Sequence, residues 1–432
     1  MNICMFTNTY IPHVGGVARS VQAFSTDLER LGHRVLIVAP EFPQDETADD
    51  NLPEVIRVPA IQNFNGSDFS VRIAVPFLIK KAVDKFDPDI IHSHHPFLLG
   101  DAALRVARRR KRPLVFTHHT LYERYTHYVP MDSPGMKRFV INLSTKYANM
   151  CHAVVAPSRS VADLIRERGV QATIIEIPTG VDLHFFASGR GEEFRSRHGI
   201  PGDAPVLGHV GRLAPEKNLD YLAEAAVRCM KERVDLWFMV VGDGPSRAVI
   251  EERFRDEGLA SRLVAPGSVT GQSLADAYAA MDLFVFSSTS ETQGMVLAEA
   301  MAAETPVIAL DASGSREVVE DLENGRLLPV ETSADDFARA TLGLLDDPDA
   351  LARVRKRALE TARSLGRQAC AARLESLYES ALAGETHSSS RNAVSLDPWE
   401  ALLEAIKTEW DLISGKTTAA VDSIKPFESV RN

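Results

Sequence analysis

The stretch PVLGHVGRL, residues 205–213, begins the second half of the chain with a short apolar run that enters a glycine turn. The next apolar run, DLWFMVVGDG at residues 235–244, also ends in glycine. Short apolar runs bounded by turn residues are typical of strands that are buried on both faces of a parallel sheet. The two runs therefore predict two strands of a parallel sheet.

Runs of the same kind recur along the chain and alternate with helical patterns. In the first half they are NICMFT (2–7), RVLIVAP (34–40), DIIHSH (89–94), PLVFTHH (113–119) and AVVAPS (153–158). In the second half they continue as RLVAPGSV (262–269), DLFVFSS (282–288) and PVIAL (306–310). Two βαβ series predict an α/β protein with two Rossmann-like, doubly wound parallel sheets.

The domain boundary is expected within residues 177–194, which carry glycines and charged residues and show no apolar period. The predicted domains are residues 1–185 and 186–370, followed by a terminal helix over 371–385 that packs back across them. The remaining extension, 386–432, has an apolar stripe that predicts an amphipathic helix, for which docking on the protein's own surface competes with contact to a partner or membrane. Because ligands bind beyond the carboxyl ends of such strands, two facing sheets predict an interdomain cleft.

Composition excludes several classes of function. The chain has 432 residues and a formal net charge of −11, which argues against nucleic acid as a partner. It has no apolar run of roughly 18 residues and no signal-peptide pattern at its start, so we expect a cytoplasmic protein without a membrane-spanning helix. The four cysteines match no metal-binding spacing and are expected to be buried thiols: Cys4, Cys151, Cys229 and Cys370.

Two glycine-containing loops follow predicted strands. In HVGGVARS, residues 13–20, Gly15 and Gly16 allow the backbone to approach a ligand at the start of a helix, although a plain strand–helix turn fits equally well. In GRLAPEKN, residues 211–218, Arg212 and Lys217 bring two cations to one loop, which suits a diphosphate. The alternative for the second loop is a solvated surface turn.

The stretch SSTSETQGMVLAEAMAAETPV, residues 287–307, places one glutamate before a helix and another on its second turn. The helix is predicted to start at Gly294, and its first amides favour an oxygen anion. Glu299 lies five residues beyond Gly294, roughly 7–8 Å along the axis, and could accept hydrogen bonds from a nucleoside ribose. Glu291 would then face a sugar. The alternative is two ordinary surface glutamates.

Five histidines lie at the ends of two predicted strands: His92, His94, His95, His118 and His119. A metal site, a contact to sugar hydroxyls and local structural roles all remain open for them. The segment RVARRRKR, residues 105–112, is basic within an acidic protein. It fits either a solvated helix face or attraction to an anionic membrane surface, worth about 1 kcal/mol per well-placed cation.

Taken together, these motifs resemble those of the family 4 nucleotide-sugar glycosyltransferases, which have the two-domain GT-B fold. The resemblance covers about residues 1–385 and depends on the EX7E pattern of Glu291 and Glu299, joined to GRLAPEKN and to VVGDGP at residues 240–245. It implies a retaining enzyme that needs no metal or other cofactor. It also implies an N-terminal acceptor domain and a C-terminal nucleotide-sugar domain.

The resemblance also assigns roles to single residues. Arg212 and Lys217 would hold the donor diphosphate, and Glu299 would bind the ribose. Glu291 and His119 would contact the transferred sugar. The remaining donor-side residues would be the loop glycines Gly15 and Gly16, the helix start at Gly294, Met295 and Val296, and Val269 near the base. On the acceptor side, residues 117–130 resemble a stretch of bacterial diacylglycerol glucosyltransferases in which Tyr122, Glu123 and Tyr125 would line the entrance.

The function predicted is therefore transfer of a hexose, with glucose from UDP-glucose favoured, to a hydroxyl of a membrane lipid such as diacylglycerol. The enzyme would act at the inner face of the cell membrane. Three alternatives remain: transfer to a soluble sugar or polyol, a sugar-nucleotide epimerase, and an inactive sugar-nucleotide binding module. The nucleobase, the hexose and the linkage do not follow from the sequence.

Overall fold

The computed structural model describes residues 1–12, 15–41, 53–61, 71–72, 76–124, 133–289 and 291–386. The chain divides into two compact units. One combines Met1–Thr179 with the chain from Cys370 onward, and the other is Gly180–Ala369. The first unit is therefore built from two separate parts of the sequence, and the second unit lies between them in the chain.

Unit 1 consists of strands and helices in alternation. Its elements are β1 (Asn2–Phe6), α1 (Gly16–Arg30), β2 (Arg34–Pro40), β3 (Glu54–Val58), β4 (Ala60–Ile61), β5 (Val71–Arg72), α2 (Pro76–Phe86), β6 (Ile90–Ser93), α3 (Leu99–Arg110), β7 (Leu114–Thr117), α4 (Pro134–Ala148), β8 (Ala153–Ala156), α5 (Arg159–Glu167) and β9 (Thr173–Glu176). Seven strands form a parallel sheet in the order β3-β2-β1-β6-β7-β8-β9, and β4 and β5 form a short antiparallel pair.

Unit 2 repeats the architecture. Its elements are α6 (Leu183–Ala187), α7 (Gly191–Arg197), β10 (Val206–Val210), α8 (Leu219–Glu232), β11 (Trp237–Val241), α9 (Arg247–Asp256), β12 (Leu263–Gly267), α10 (Gln272–Ala279), β13 (Leu283–Phe286), α11 (Met295–Ala302), β14 (Val307–Leu310), β15 (Gly325–Leu328), α12 (Ala334–Leu345) and α13 (Pro348–Ser364). The last helix, α14 (Arg367–Thr386), begins in unit 2 and continues in unit 1. Six strands form a parallel sheet in the order β12-β11-β10-β13-β14-β15.

Each sheet is covered on both faces, which follows from the alternation of side chains along its strands. In β1, Cys4 and Phe6 belong to one hydrophobic cluster, whereas Ile3 and Met5 belong to another on the opposite face. The strands of unit 2 divide in the same way between two clusters. Because successive side chains of a strand point to opposite faces, this division requires helices on both sides of each sheet. The predicted pair of doubly wound parallel sheets is confirmed.

The strands that the sequence did not predict lie mainly at the edges of the sheets. β3 and β9 are the two edges of the first sheet, and β15 is one edge of the second. Edge strands have one neighbour, and the side chains of β9 in particular are largely exposed. Their sequences, EVIRV, TIIE and GRLL, therefore mix apolar with charged residues and do not form continuous apolar runs.

The segment 177–194, in which the domain boundary was predicted, contains α6 and α7, whose buried Phe186 and Phe194 join a core cluster of unit 2. The structure places the division of the chain at Thr179, whereas the sequence placed it after residue 185. At the other crossing between the units, α14 carries Cys370, Leu374 and Tyr378 into the core of unit 1. The predicted amphipathic extension lies outside the described residues.

Three further expectations concern the chain as a whole. All four cysteines are free and buried, as predicted. Within the ranges that the structure describes, no helix is both long enough and apolar enough to cross a bilayer. The same ranges contain no group of three His, Cys, Asp or Glu side chains arranged to hold a metal ion.

Candidate active site

The candidate site of unit 2 lies at the topological switch point of its sheet. β10 and β13 are neighbours, and the order of the strands reverses between them. Ligands of doubly wound sheets bind beyond the carboxyl ends of the strands at such a point. The loop after β10 carries Arg212 and Lys217, and the loop after β13 carries Glu291.

The loop after β10 is held by the loop after β11. Gly211 N–H donates to the Val241 carbonyl at 3.0 Å, and Leu213 N–H donates to the Asp243 carbonyl at 2.9 Å. Gly242 has a φ of 137°, and a Cβ there would collide with the Gly211 carbonyl oxygen. This close backbone contact requires a glycine. Arg212 stands at the exposed side of the turn that these contacts fix.

The structure brings Lys217 and Glu291 together. The Lys217 ammonium forms an ion pair with Glu291 Oε1, and the two side chains are 21% and 22% exposed. The Ser288 hydroxyl donates to the same carboxylate oxygen at 3.3 Å. Lys217 ends a short 3-10 turn over Pro215–Lys217, and the left-handed Asn218 that follows leads into α8. A cation and a carboxylate from two loops thus meet at the switch point.

Ser287 links the loop after β13 to the loop after β10. This residue was not singled out in the sequence. Its hydroxyl is fully buried and lies 3.1 Å and 2.9 Å from the carbonyl oxygens of Lys217 and Asn218. The Asn218 side chain donates back to the Ser287 carbonyl at 3.4 Å. Because a buried polar group needs a partner, these contacts fix the spacing between the two loops.

Gly294 starts α11, as predicted, in the left-handed conformation with a φ of 63° and without a capping side chain. Its partner is Gly314, in the loop after β14, which also has a positive φ of 88°. A Cβ on either glycine would meet the other loop: that of Gly294 collides with the Gly314 carbonyl, and that of Gly314 with Glu291 Cβ. The sequence signal that could have found Gly314 is its place in DASGS, directly after the strand PVIAL.

The backbone of α11 places Glu299 on its second turn, where the side chain is half-buried. The Tyr278 hydroxyl of α10 donates to Glu299 Oε2 at 2.7 Å. Met295, Val296 and Val269 are partly buried and pack against one core cluster of unit 2. The predicted residues for phosphate, ribose and base are therefore carried by α11 and by the loops that follow β10, β12 and β13.

His209, inside β10, is a buried polar residue beneath this site. Its ring stacks on Phe284 and Phe286, and its Nδ1 lies 3.2 Å from the Val285 carbonyl. Nε2 is buried without a hydrogen-bond partner among the described residues. Burial lowers the pKa of His209 to about 4; nearby Lys217 also lowers it, and Glu291 opposes the shift. The imidazole is therefore neutral near pH 7.

The candidate site of unit 1 also lies at a switch point, between β1 and β6. Gly15 and Gly16 form the start of α1, where no side chain caps the helix and a Cβ on Gly16 would meet nothing within 4 Å. Gly15 has an extended φ of −169°. The φ of Gly15 and the packing around Gly16 therefore do not require glycine, and Gly16 leaves open space at the helix start.

The five histidines are buried, and three of them belong to two hydrogen-bonded groups. His94 Nδ1 lies 2.8 Å from His119 Nε2, and the two rings stack. His92 lies between the Tyr378 hydroxyl at 2.6 Å and the Thr117 hydroxyl at 2.7 Å. Sequence reasoning missed Tyr378, which reaches this cluster from α14.

Burial determines the charge of these histidines. It lowers the pKa of His92 to about 3, of His118 to about 4 and of His119 to about 3, and it holds the pKa of His94 well below the ordinary value of 6.5. Neighbouring imidazoles add to the shift of His92, His94 and His119. Because desolvation disfavours the charged form, these four imidazoles are neutral near pH 7. They can donate or accept hydrogen bonds but supply no positive charge.

The predicted acceptor residues are only partly visible. Tyr122 packs its ring on Phe97 and His118, and its hydroxyl is buried without a partner in the described part of the chain. Glu123 forms an ion pair with Arg168, with 2.6 Å between Oε1 and Nη2. Nothing in the sequence signalled Arg168. Tyr125 lies outside the described residues.

The basic stretch on α3 is less positive than its sequence indicates. Arg110 contacts Asp84 of α2 and Asp87, which follows that helix, at 2.6 Å and 2.7 Å, and Arg109 contacts Asp84 at 3.3 Å. The prediction treated residues 105–112 alone and did not anticipate that the end of α2 and the turn after it would supply these aspartates. Two arginines of the basic segment 105–112, Arg109 and Arg110, are therefore already paired with carboxylates.

The chain matches two family models in succession. Residues 14–185 match the model described as Glycosyltransferase Family 4, and residues 191–361 match that of Glycosyl transferases group 1. An alpha-monoglucosyldiacylglycerol synthase of Streptococcus pneumoniae is 32% identical over 72% of this chain and 71% of its own length. The chain belongs to glycosyltransferase family 4.

Other relatives of this glycosyltransferase have names that refer to different sugars. An alpha-monoglucosyldiacylglycerol synthase of Acholeplasma laidlawii is 29% identical over 88% of this chain and 96% of its own length. A GDP-mannose-dependent alpha-mannosyltransferase of Mycobacterium tuberculosis is 32% identical over 76% of this chain and 84% of its own. The family resemblance in the sequence is thus confirmed, and the names of the relatives refer to two different sugars, glucose and mannose.

Solved structures support the fold of the glycosyltransferase. A sucrose-phosphate synthase of Thermosynechococcus elongatus superposes with a TM-score of 0.70 at 22% identity, covering 88% of this chain and 99% of that one. The Anabaena protein HepE, in complex with UDP, superposes with a TM-score of 0.69 at 21% identity, covering 88% and 100%. At this level of identity the likeness concerns the fold, which is the predicted GT-B type.

Proposed function

We propose that this glycosyltransferase is a retaining hexosyltransferase that transfers glucose from UDP-glucose to a hydroxyl of a membrane lipid such as diacylglycerol. The observation that supports it most is the Lys217–Glu291 ion pair at the switch point of unit 2, beside the uncapped start of α11. Cation, carboxylate and helix dipole there suit a ligand that joins an anionic phosphate to a neutral sugar.

The donor diphosphate would contact Arg212, Lys217 and the first amides of α11, those of Met295 and Val296. Glu291 would accept hydrogen bonds from the sugar and Glu299 from the ribose, with Val269 near the base. In unit 1 the glycines at the start of α1 would approach the donor. These side chains and amides supply the charge that a diphosphate needs, so we propose that donor binding requires no divalent metal.

In the reaction, the bond between the anomeric carbon and the diphosphate oxygen breaks, and the acceptor hydroxyl attacks from the same face. Its proton passes to the leaving diphosphate, so that the anomeric configuration is retained. Arg212 and Lys217 would stabilise the negative charge that develops on the diphosphate, a preorganised effect worth on the order of 3 kcal/mol per group. His119, neutral near pH 7, would contact a sugar hydroxyl through a hydrogen bond.

The lipid acceptor is supported by relatives whose names are those of diacylglycerol glucosyltransferases and that cover most of this chain. Tyr122 and Glu123 would lie at the acceptor entrance. The basic segment 105–112 would add peripheral contact with an anionic membrane. Asp84 and Asp87, which pair with Arg110, weaken this attraction. A second candidate is mannosyl transfer from GDP-mannose, which the 32% identity to the mycobacterial mannosyltransferase supports.

The test is transfer from radiolabelled UDP-glucose and, in parallel, GDP-mannose to vesicles that contain diacylglycerol and anionic lipid. We expect an organic-phase glucolipid from UDP-glucose, and a product with an α-linked sugar by NMR. Label found only in water-soluble glycosides would overturn the lipid acceptor. Label transferred only from GDP-mannose would establish the second candidate, and a β-linked product would exclude retention.

A further inference from the structure

Tyr278 connects the buried core of unit 2 to Glu299. It lies near the end of α10, is fully buried, and donates its hydroxyl proton to Glu299 Oε2 at 2.7 Å. Glu299 is on the adjacent helix α11, with its side chain partly exposed. The hydrogen bond therefore joins Tyr278, which the core holds in place, to Glu299, whose side chain lies at the candidate site of unit 2.

The position of the Tyr278 hydroxyl is fixed by packing. Its ring stands edge-on to Phe186 with 5.4 Å between centroids and lies tilted against Phe284 at 5.7 Å. The Thr305 hydroxyl donates to the Tyr278 backbone carbonyl at 2.9 Å. Because a fully buried side chain in a close-packed core has few alternative rotamers, the hydroxyl is a stationary donor.

Glu299 needs such a donor because its side chain is long and flexible. A glutamate has three rotatable bonds and loses considerable rotamer freedom whenever its carboxylate is ordered. A hydrogen bond from a hydroxyl to a carboxylate is charge-assisted and stronger than a neutral one. The Tyr278 hydroxyl therefore orders the carboxylate before any ligand arrives, which lowers the entropy lost on binding.

We propose that Tyr278 is a positioning residue that presents the Glu299 carboxylate to the ribose diol of the donor nucleotide. This inference rests on the proposed function, in which Glu299 accepts hydrogen bonds from the ribose. A carboxylate of fixed orientation can accept from two neighbouring hydroxyls at once, whereas a freely rotating one does so less often. Tyr278 thereby controls how strongly the enzyme distinguishes ribonucleotides from deoxyribonucleotides.

The experiment measures the ratio of the dissociation constants of the 2′-deoxy and ribo forms of UDP, and likewise of GDP, by isothermal titration calorimetry. The full chain is compared with Tyr278→Phe, Glu299→Gln and the double variant. We expect Tyr278→Phe to lower the ratio roughly five- to tenfold, the effect of one charge-assisted hydrogen bond. Glu299→Gln should bring the ratio close to one, and the double variant should lower it no further.

Tyr221→Phe is the matched control, because it removes a tyrosine hydroxyl of unit 2 that donates to the Thr332 carbonyl at 2.9 Å. It should leave the ratio unchanged. If Tyr278→Phe fails to fold, Glu299→Asp replaces it: the shorter side chain keeps its charge but withdraws the carboxylate from Tyr278, and the ratio should fall as it does for Glu299→Gln.

The outcomes distinguish the positioning role of Tyr278 from the ribose contact of Glu299, on which it rests. An unchanged ratio in Tyr278→Phe, or in Glu299→Asp where that variant replaces it, would overturn the positioning role while a collapsed ratio in Glu299→Gln kept the ribose contact. An unchanged ratio in Glu299→Gln would overturn the ribose contact itself.

Discussion

Lys217 and Glu291 form an ion pair across the two loops that follow adjacent strands at the switch point of unit 2. The residues are 74 positions apart in the chain, and each was assigned to the donor site from its own motif. Their pairing means that Glu291 holds the Lys217 ammonium in place before a donor binds. The phosphate and the sugar of a donor would then bind to Lys217 and Glu291 side chains that are already in position. The donor would not need to order either side chain.

Replacing Lys217 with alanine should reduce the transfer rate by about two to three orders of magnitude, because a preorganised cation contributes on the order of 3 kcal/mol to the transition state. The fold should persist, since Glu291 is partly exposed and can be hydrated when it loses its partner. Initial rates and thermal unfolding measure the two effects. Lys231→Ala, which breaks the surface ion pair with Glu257, is the control and should keep full activity.

Replacing Gly314 with alanine should destabilise the protein and reduce donor binding. The new Cβ would combine a positive φ of 88° with a collision against Glu291 Cβ. Gly199→Ala separates the two causes, because Gly199 has a φ of 69° and nothing within 4 Å of its Cβ position. We expect the control to lose about 1 kcal/mol of stability and no donor affinity. Equal loss of affinity in both variants would contradict the loop contact.

Stability should fall as the pH is lowered from 6.5 towards 4. In the folded state the pKa of His92 and His119 is lowered to about 3, and that of His118 and His209 to about 4. The unfolded chain binds protons at these positions once the pH drops below 6.5, whereas the folded chain does not. Each such group therefore costs up to about 1.4 kcal/mol per pH unit in that window.

Urea unfolding at pH 7.5 and pH 5.5 measures this loss. His118→Phe should reduce the difference in unfolding free energy between the two pH values, because it removes one buried base. The exposed His184 provides the control as His184→Gln, which should leave the difference as it is. A protein equally stable at both pH values would contradict neutral burial of the cluster.

Neutralising two aspartates should strengthen binding to anionic vesicles. Asp84→Asn with Asp87→Asn would release Arg109 and Arg110 from their ion pairs with these two aspartates and expose their charge. About 1 kcal/mol per released cation predicts a gain of roughly fivefold or more in partition to vesicles, lost at high salt. The control is Asp163→Asn, which frees arginines on α5 instead. Unchanged vesicle binding in the double variant would remove α3 from the membrane contact.

Chelation of divalent metal with EDTA should leave the transfer rate within about a factor of two, if Arg212 and Lys217 supply the positive charge beside the diphosphate. The rate is measured before and after dialysis against the chelator. Loss of activity that Mg²⁺ or Mn²⁺ restores would show that the cations of the loop are insufficient.

Much of this architecture could be predicted because buried parallel strands produce continuous apolar runs, and such runs located ten of the strands. The strands missed at the sheet edges have a side or face in contact with solvent, so their sequences lack the signal. In the candidate site, Arg212, Lys217, Glu291 and Glu299 were accessible through motifs that follow strands. Ser287 and Tyr278 were not, because each acts through a contact with a distant loop or helix, and single-sequence patterns do not report such contacts. Gly314 could have been noted from its place after PVIAL, but its contacts with Gly294 and Glu291 could not.

Unit 1 is completed only by residues that follow unit 2 in the chain. Cys370, Leu374, Leu377 and Tyr378 fill a core whose other buried members come from the first 180 residues, and the Tyr378 hydroxyl is a hydrogen-bond partner of His92. During synthesis from the amino terminus, all of unit 2 leaves the ribosome while unit 1 still lacks the core residues that α14 supplies. The later part of the chain can therefore reach its native state first, and the contact of Tyr378 with the histidine cluster forms only after unit 2 has been synthesised.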